Sequence, residues 1–289
     1  NANYNTWVNV FQKSDKQIDY WATILKNSEP KITSKSKSIS KPQKITPNYS
    51  DTIVSDGLIA IMTIRSFNLF KINDDKIRID HFLNSIGNCK YLIIDIQENS
   101  GGAVKYWKEN LVERLINDTV YYTQYPIIKD GSLNRLFYPD FFKEAQLLQK
   151  TDILNAVPEE LLNEKYYIKQ EIDTITPNNP INFKGKIYLL VSKTVFSSSE
   201  GFAQFCKTTK WATIVGERTG GDGVGSDPAL ILLPESKIII GYPSLIGLNH
   251  DGSLNAEERT KPDIETTEKT YQNRLYWLIE YIKKNNNYR

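Results

Sequence analysis

Two short stretches of this chain carry residue types suited to acyl-transfer chemistry. The first is Gly101-Gly102, which follows the apolar run Tyr91–Ile96 and precedes a helical stretch from Ala103 to about Ile116. Adjacent glycines let the backbone turn with its N–H groups exposed, and a helix start adds positive potential. Such a turn suits an oxyanion or another anion; the plain alternative is a tight turn and nothing more. The second stretch is Ser197-Ser198-Ser199-Glu200, between the run Ile187–Val191 and a helix expected over residues 198–209. Ser197 with Glu200 fits the S-x-x-E capping box. The same junction also suits a nucleophile, a hydroxyl held at a sharp turn beside a helix N-terminus that favours developing negative charge. Spacing alone leaves both readings of each turn open.

Other chemistry is poorly supplied. His81 and His250 are the only histidines, and neither stands in HExxH spacing. Cys89 and Cys206 make neither a disulfide framework nor a metal site and read as free thiols. Asp222-Gly223 with Asp227 lacks the spacing of a calcium loop and reads as a glycine-rich turn. The sequence therefore implies no metal and no cofactor. A net charge of +2 gives no footprint for nucleic acid, which needs basic charge clustered on one face. Apolar runs such as Tyr188–Val191 and Ile238–Ile240 are far too short to span a bilayer, so the chain reads as soluble. It begins at Asn1 and its one methionine is Met62, which points to a processed or excised chain with any signal or anchor segment removed.

The elements that must position these turns follow from periodicity. The 289 residues, 40% hydrophobic and 24% charged, suit a globular chain with a sizeable core. Residues 6–26 space Trp7, Val10, Phe11, Ile18, Trp21 and Leu25 mostly at helical intervals. Lys31–Ser50 holds five lysines and no acid and reads as a linker. The expected division is an N-terminal helical segment and basic linker over 1–51 and a core over 52–289. Within the core, Leu58–Ile64, Tyr91–Ile96, Ile187–Val191 and Ala212–Val215 read as buried strands. Ile79–Leu83 reads as part of a short helix, Ala229–Leu233 with Lys237–Tyr242 as a hairpin, and Tyr271–Lys284 as a closing amphipathic helix. Residues 118–180 read as an insertion with helical patches near 139–149 and 159–170. Strands alternating with helices predict an α/β layered core.

The order of five segments resembles the family of C-terminal processing (tail-specific) peptidases, the tricorn core and the interphotoreceptor retinoid-binding proteins. Ile61–Phe67 resembles that family's "YIRISSF" strand, and Leu92–Gly102 its "LILDLRNNPGG". Residues 185–203 are similar to "PVYVLVNxxTASAAEIFA", Val215–Gly221 to "VGExTxG", and Lys261–Ile264 to "xxPDI". The resemblance covers roughly residues 52–284, apart from the insertion. It implies a crotonase-like ββα core, Ser197 as nucleophile, and oxyanion donors from the N–H of Ser198 and from Gly101 or Gly102. It also implies a polypeptide substrate and a secreted or cell-envelope location in a bacterium.

One departure decides between branches of that family. Where the Ser-Lys branch has its lysine, this chain has Asp222, which cannot supply a neutral amine base. The resemblance therefore leans to the tricorn-like branch, which uses Ser with His and Glu, and points to Glu257 or Glu258 for the glutamate. The histidine of that branch comes from a region N-terminal to the core, and no matching motif is found here. His250, in Leu248-Asn249-His250-Asp251-Gly252, is the histidine nearest the glutamate segment; its other reading is a plain turn residue, and without it the chain is expected to be inactive as it stands. His81 reads as structural. The family's PDZ-like segment has no counterpart in these residues. The competing expectation is a non-catalytic peptide- or ligand-binding module on the same fold, since fold alone does not give function.

Overall fold

A computed structural model describes residues 46–285 apart from 226–227, 233–235 and 237. The expected helix over 6–26 and residues 31–45 of the basic linker lie outside the described residues. In chain order the elements begin with strands β1 (Tyr49–Val54) and β2 (Ile59–Ile64) and helix α1 (Ile72–Ser85). β3 (Tyr91–Asp95) leads to helix α2 (Val104–Trp107), which continues through a π-helical turn, Lys108–Val112, into Glu113–Leu115. The long strand β4 (Val120–Lys129) is followed by α3 (Ser132–Phe137), α4 (Pro139–Glu144), β5 (Gln146–Leu147), α5 (Glu159–Asn163), β6 (Tyr166–Ile168) and β7 (Glu171–Ile175). Then come β8 (Lys186–Val191), α6 (Ser198–Thr209) and β9 (Thr213–Gly216). The hairpin β10 (Ala229–Leu232) and β11 (Ile239–Tyr242), β12 (Leu245–Leu248), α7 (Asn255–Glu258), β13 (Ile264–Glu265) and α8 (Tyr271–Asn285) complete the chain.

The main sheet has the order β1-β2-β3-β8-β9-β13, with β1 antiparallel to β2 and every later pair parallel. Its central strands read as nearly unbroken apolar runs because both faces are covered. Alternate residues show this. Ala60, Met62 and Ile64 of β2 join Leu92, Ile94, Leu189 and Ile214 on one face, under Ile79 and Phe82 of α1, Trp107 of α2 and Phe202 of α6. Ile59, Ile61, Ile93, Tyr188 and Val215 occupy the other face, under Leu278 and Ile282 of α8. The sequence-based strands and the α6 and α8 helices lie within a residue or two of these bounds. α1 is longer than expected, 14 residues, because its polar positions Asn73, Asp74 and Lys76 fall on its outer side.

Within residues 118–180 both expected helical patches are present but short, over Pro139–Glu144 and Glu159–Asn163. Strand content dominates: β12, β4, β6 and β5 form a second sheet, and β7 pairs with the first half of β4. Helical order near 159–170 ends at Asn163. Pairing with distant partners wins over local pattern here, as it does for β-structure generally. Residues 130–144, carrying α3 and α4, cluster apart from the rest of the core. Inside that unit Arg135 pairs with Asp130 and lies over the Phe142 ring. β1 begins at Tyr49, so its first three residues precede the expected boundary at 51/52.

Candidate active site

Two parallel strands of the main sheet, β3 and β8, deliver the two turns to the same edge. Their register pairs Tyr91 with Lys186 through Asp95 with Leu190, so the loops that follow emerge side by side. The helices that start at those turns, α2 and α6, are held together by aromatic rings. Trp107 stacks on Phe202 at 5.1 Å between centroids and meets Phe205 at 5.5 Å, and Phe67, from the loop after β2, bridges Tyr106 at 5.3 Å and Phe202 at 6.1 Å. Such pairs add about 1 kcal/mol each beyond the area they bury.

Ser197 precedes α6 with φ +56° and ψ −127°. A serine in this left-handed region is strained by roughly 1–3 kcal/mol, and the strain persists only where surrounding bonds over-determine it. Those bonds are present. The Ser197 N–H donates to the Gly221 carbonyl (3.2 Å), the Ser197 carbonyl accepts from Gly201 (2.9 Å), and Phe196 bridges Gly221. The side chain makes no cap hydrogen bond, so the capping box does not form. Ser197 is half-buried, and its hydroxyl has no hydrogen-bond partner among the described residues.

The glycine turn comes up against it. A Cβ built on Gly101, whose φ is +110°, would stand 2.9 Å from Ser197 Cβ and 3.1 Å from the Ser198 nitrogen. Only a residue without a side chain permits that approach. The Gly101 N–H is already engaged, donating to Asn99 Oδ1 at 3.0 Å. Phe67 holds the far side of the turn: its N–H donates to the Gly101 carbonyl (2.9 Å), and its carbonyl accepts from Ala103 (2.7 Å). This parallel bridge leaves the N–H of Gly102 pointing away from Phe67. Among the described residues neither the Gly102 N–H nor the Ser198 N–H has a partner in a hydrogen bond. Unpaired backbone donors near a free hydroxyl are what a developing oxyanion requires. Ser198 is buried, its own hydroxyl unpaired.

Glu200, expected only as a capping partner, is fully buried and belongs to a separate network. Its Oε1 accepts from Asn255 Nδ2 (2.8 Å) and Thr260 Oγ1 (2.7 Å). Burial pushes its carboxyl pKa up, against hydrogen bonds from Thr219, Asn255 and Thr260 that pull it down. Asn255 also accepts from Gly223 N–H (2.8 Å), and its carbonyl would be 2.9 Å from a Cβ on Gly221. The short helix α7 is thereby packed against the loop that supports Ser197.

The remaining sequence-derived candidates are placed as follows. Glu257 and Glu258 lie on α7 but are exposed; Glu258 pairs with Arg218 at 3.1 Å, and Asn255 is the residue of that helix that turns inward. His250 is exposed, its ring 6.2 Å from that of Tyr125, and His81 is exposed on α1. No hydrogen bond joins either histidine or either glutamate to Ser197 among the described residues. Asp222, half-buried with φ +64°, directly follows the Gly221 that binds Ser197 N–H, and burial raises its carboxyl pKa. Asp227 lies outside the described residues, and among the described residues no cluster of three or more His, Cys, Asp or Glu side chains could hold a metal ion. Asn99, Ser199, Thr260 and Asn255 escaped the sequence reading because a polar residue in a loop or at a helix start carries no local mark of burial. The Asn99-to-Gly101 spacing, an Asx-type turn, was the one available signal.

The model of Peptidase family S41 matches residues 58–266. Among solved structures, the chain is similar to a candidate peptidase from Parabacteroides merdae, with 17% identity, a TM-score of 0.57, and coverage of 83% of this chain and 65% of that one. It is also similar to mature CPAF complexed with lactacystin, with 16% identity, a TM-score of 0.55, and coverage of 78% of this chain and 50% of that one. The chain thus spans about half to two thirds of the length of these structures, and at such identities the likeness establishes the shared fold. No curated protein matches. The family model covers well over half of the residues and takes in both turns, and on that ground the chain belongs to peptidase family S41.

Proposed function

We propose that this chain is a serine peptidase that hydrolyses a peptide bond through an acyl-enzyme on Ser197. The observation that carries the reading is the strained φ of Ser197, with its hydroxyl unbonded beside Gly101. In this mechanism Ser197 Oγ attacks the scissile carbonyl carbon and its proton passes to a general base. The carbonyl oxygen becomes an oxyanion held by the N–H groups of Ser198 and Gly102. The C–N bond breaks, the amine leaves with a proton, and water hydrolyses the ester to regenerate Ser197. The core is read as crotonase-like, a reading supported by the run of strand, tight turn and helix in β3–α2 and β8–α6. The secreted or envelope location implied by the sequence resemblance belongs to the same proposal.

Asp222 stands where a lysine would serve, so the base follows the tricorn-like manner in one of two ways: it is His250, oriented by Glu257 or Glu258, or no histidine of this chain serves and the chain is inactive as it stands. In the first case His250, exposed and 6.2 Å from the Tyr125 ring, must reach the Ser197 hydroxyl, to which no hydrogen bond joins it among the described residues. A second reading, a non-catalytic peptide-binding module, is favoured by the absence of any base on the Ser197 hydroxyl among the described residues. Labelling with a fluorophosphonate probe, followed by turnover of unfolded polypeptide, separates the two. The peptidase reading expects labelling that Ser197→Ala abolishes, together with turnover. Labelling without turnover supports the binding module, and no labelling at all removes Ser197 as nucleophile.

A further inference from the structure

The two amides assigned to the oxyanion come from turns about a hundred residues apart in sequence, so something must fix the gap between them. Ser199 lies on the first turn of α6 and is fully buried. Its hydroxyl is 2.7 Å from the Asn99 carbonyl and 2.8 Å from the Phe196 carbonyl, and it accepts the Phe196 N–H at 3.1 Å. It makes the one side-chain hydrogen bond between residues 98–102 and 195–200 among the described residues. Asn99, also fully buried, carries the connection onward. Its Oδ1 accepts the Gly101 N–H at 3.0 Å, and its Nδ2 donates to the Ile64 carbonyl at the end of β2, 3.2 Å away.

We infer that Ser199 and Asn99 are positioning residues that set the separation of the Ser198 and Gly102 amides, a role that rests on the reading of Ser197 as nucleophile. Asn99 occupies the Gly101 N–H, which leaves Gly102 as the free donor of that turn, and ties the turn to the sheet. Ser199 ties the turn to the residue before Ser197. With the hydroxyl gone, the buried Asn99 carbonyl and Phe196 N–H lose their partner, and no water replaces it at a site without solvent exposure. The two turns can then drift, and a shift of about 1 Å at an oxyanion site is enough to cost on the order of 100-fold in rate.

The test uses the whole chain and a fluorophosphonate probe, with labelling resolved into its maximal rate and its half-saturating probe concentration. Ser199→Ala is expected to lower the maximal rate by roughly 10- to 100-fold with half-saturation unchanged, and Ser199→Thr, which restores a hydroxyl, to recover most of it. Asn99→Ala removes the other half without adding volume and is expected to match Ser199→Ala. Hydrogen exchange of peptides spanning 98–103 and 195–200 should rise in both alanine variants. Unchanged labelling in Ser199→Ala, or a folded Ser199→Thr that behaves like it, overturns the inference. If the unaltered chain takes no label, the peptidase reading fails on its own; exchange then decides the pairing, and unchanged exchange in Ser199→Ala overturns it.

Discussion

Replacing Gly101 by alanine tests the core of the site through one methyl group. The added Cβ would stand 2.8 Å from the Phe196 carbonyl oxygen, 2.9 Å from Ser197 Cβ and 3.1 Å from the Ser198 nitrogen. Comfortable contact begins near about 3.5 Å, so the two turns must part by roughly 0.5 Å or more. Overpacking of this kind costs about 1–3 kcal/mol, and φ +110° adds about 1–2 kcal/mol for any residue with a Cβ. A total near 3 kcal/mol leaves a domain of ordinary stability folded, since such domains have about 5–15 kcal/mol. The same displacement moves the Gly102 amide away from Ser197 and should slow fluorophosphonate labelling by about 100-fold, the scale of one lost oxyanion donor. Gly57→Ala is the control. Gly57 also has a left-handed φ, +87°, but nothing lies within 4 Å of its Cβ position. It should lose about 1 kcal/mol and label at the unaltered rate. Urea unfolding and labelling kinetics on both variants give the comparison. A Gly101→Ala chain that labels as fast as the Gly57→Ala chain refutes the close approach of the two turns.

Three further outcomes follow from the same geometry. Ser197→Gly should abolish labelling yet raise the unfolding free energy by about 1 kcal/mol, because glycine adopts φ +56° without strain; a destabilised variant in urea unfolding would contradict the strain argument. Burial pushes the Asp95 carboxyl up to about 6, so its contribution to stability is complete below its ordinary 3.8 and lost as pH rises through about 6. The gap is worth about 3 kcal/mol, and Asp95→Asn should flatten the fall in stability between pH 4 and pH 7 by that amount; an equally steep fall in the variant counts against it. Arg274, almost wholly buried, donates to Gln97 Oε1 at 3.0 Å and pairs with Glu217, so Arg274→Met should cost about 3 kcal/mol and free α8 in hydrogen exchange, and unchanged exchange there would show that the apolar face of α8 suffices.

The central strands were legible because burial on both faces turns each into a short apolar run between turn residues, as in Leu92-Ile93-Ile94 and Tyr188–Val191. β1, β12 and β13 were not. Tyr49-Ser50-Asp51-Thr52-Ile53-Val54 has three exposed positions and exists through its antiparallel register with β2, and β13 is two residues held by β9. β4 was missed for a related reason. Its Pro126 and mixed polar and aromatic residues argue against a strand, yet it pairs with β12, β6 and β7 at different points along its length. No window of local sequence contains those partners.

The turn at Ser197 shows why the site was half legible. Residue types and order marked Ser197, Ser198, Gly101 and Gly102, and Gly101 lies against Ser197 and Ser198. The same residues also spell a capping box, and local sequence could not choose between the two. Backbone conformation chooses. A helix-capping serine sits in the β region with its oxygen on an N–H of the first turn, whereas Ser197 sits at φ +56° and makes no such bond. That conformation is unfavourable by itself and is kept by the Gly201 bond within the helix together with bonds from outside the local segment, from Gly221 on the β9 side and through Ser199 from Asn99 on the β3 side. A serine that merely ended a loop would relax into the cap and gain stability. The strained turn withholds its hydroxyl from the helix, and that is the physical argument for reading the hydroxyl as reserved for a substrate.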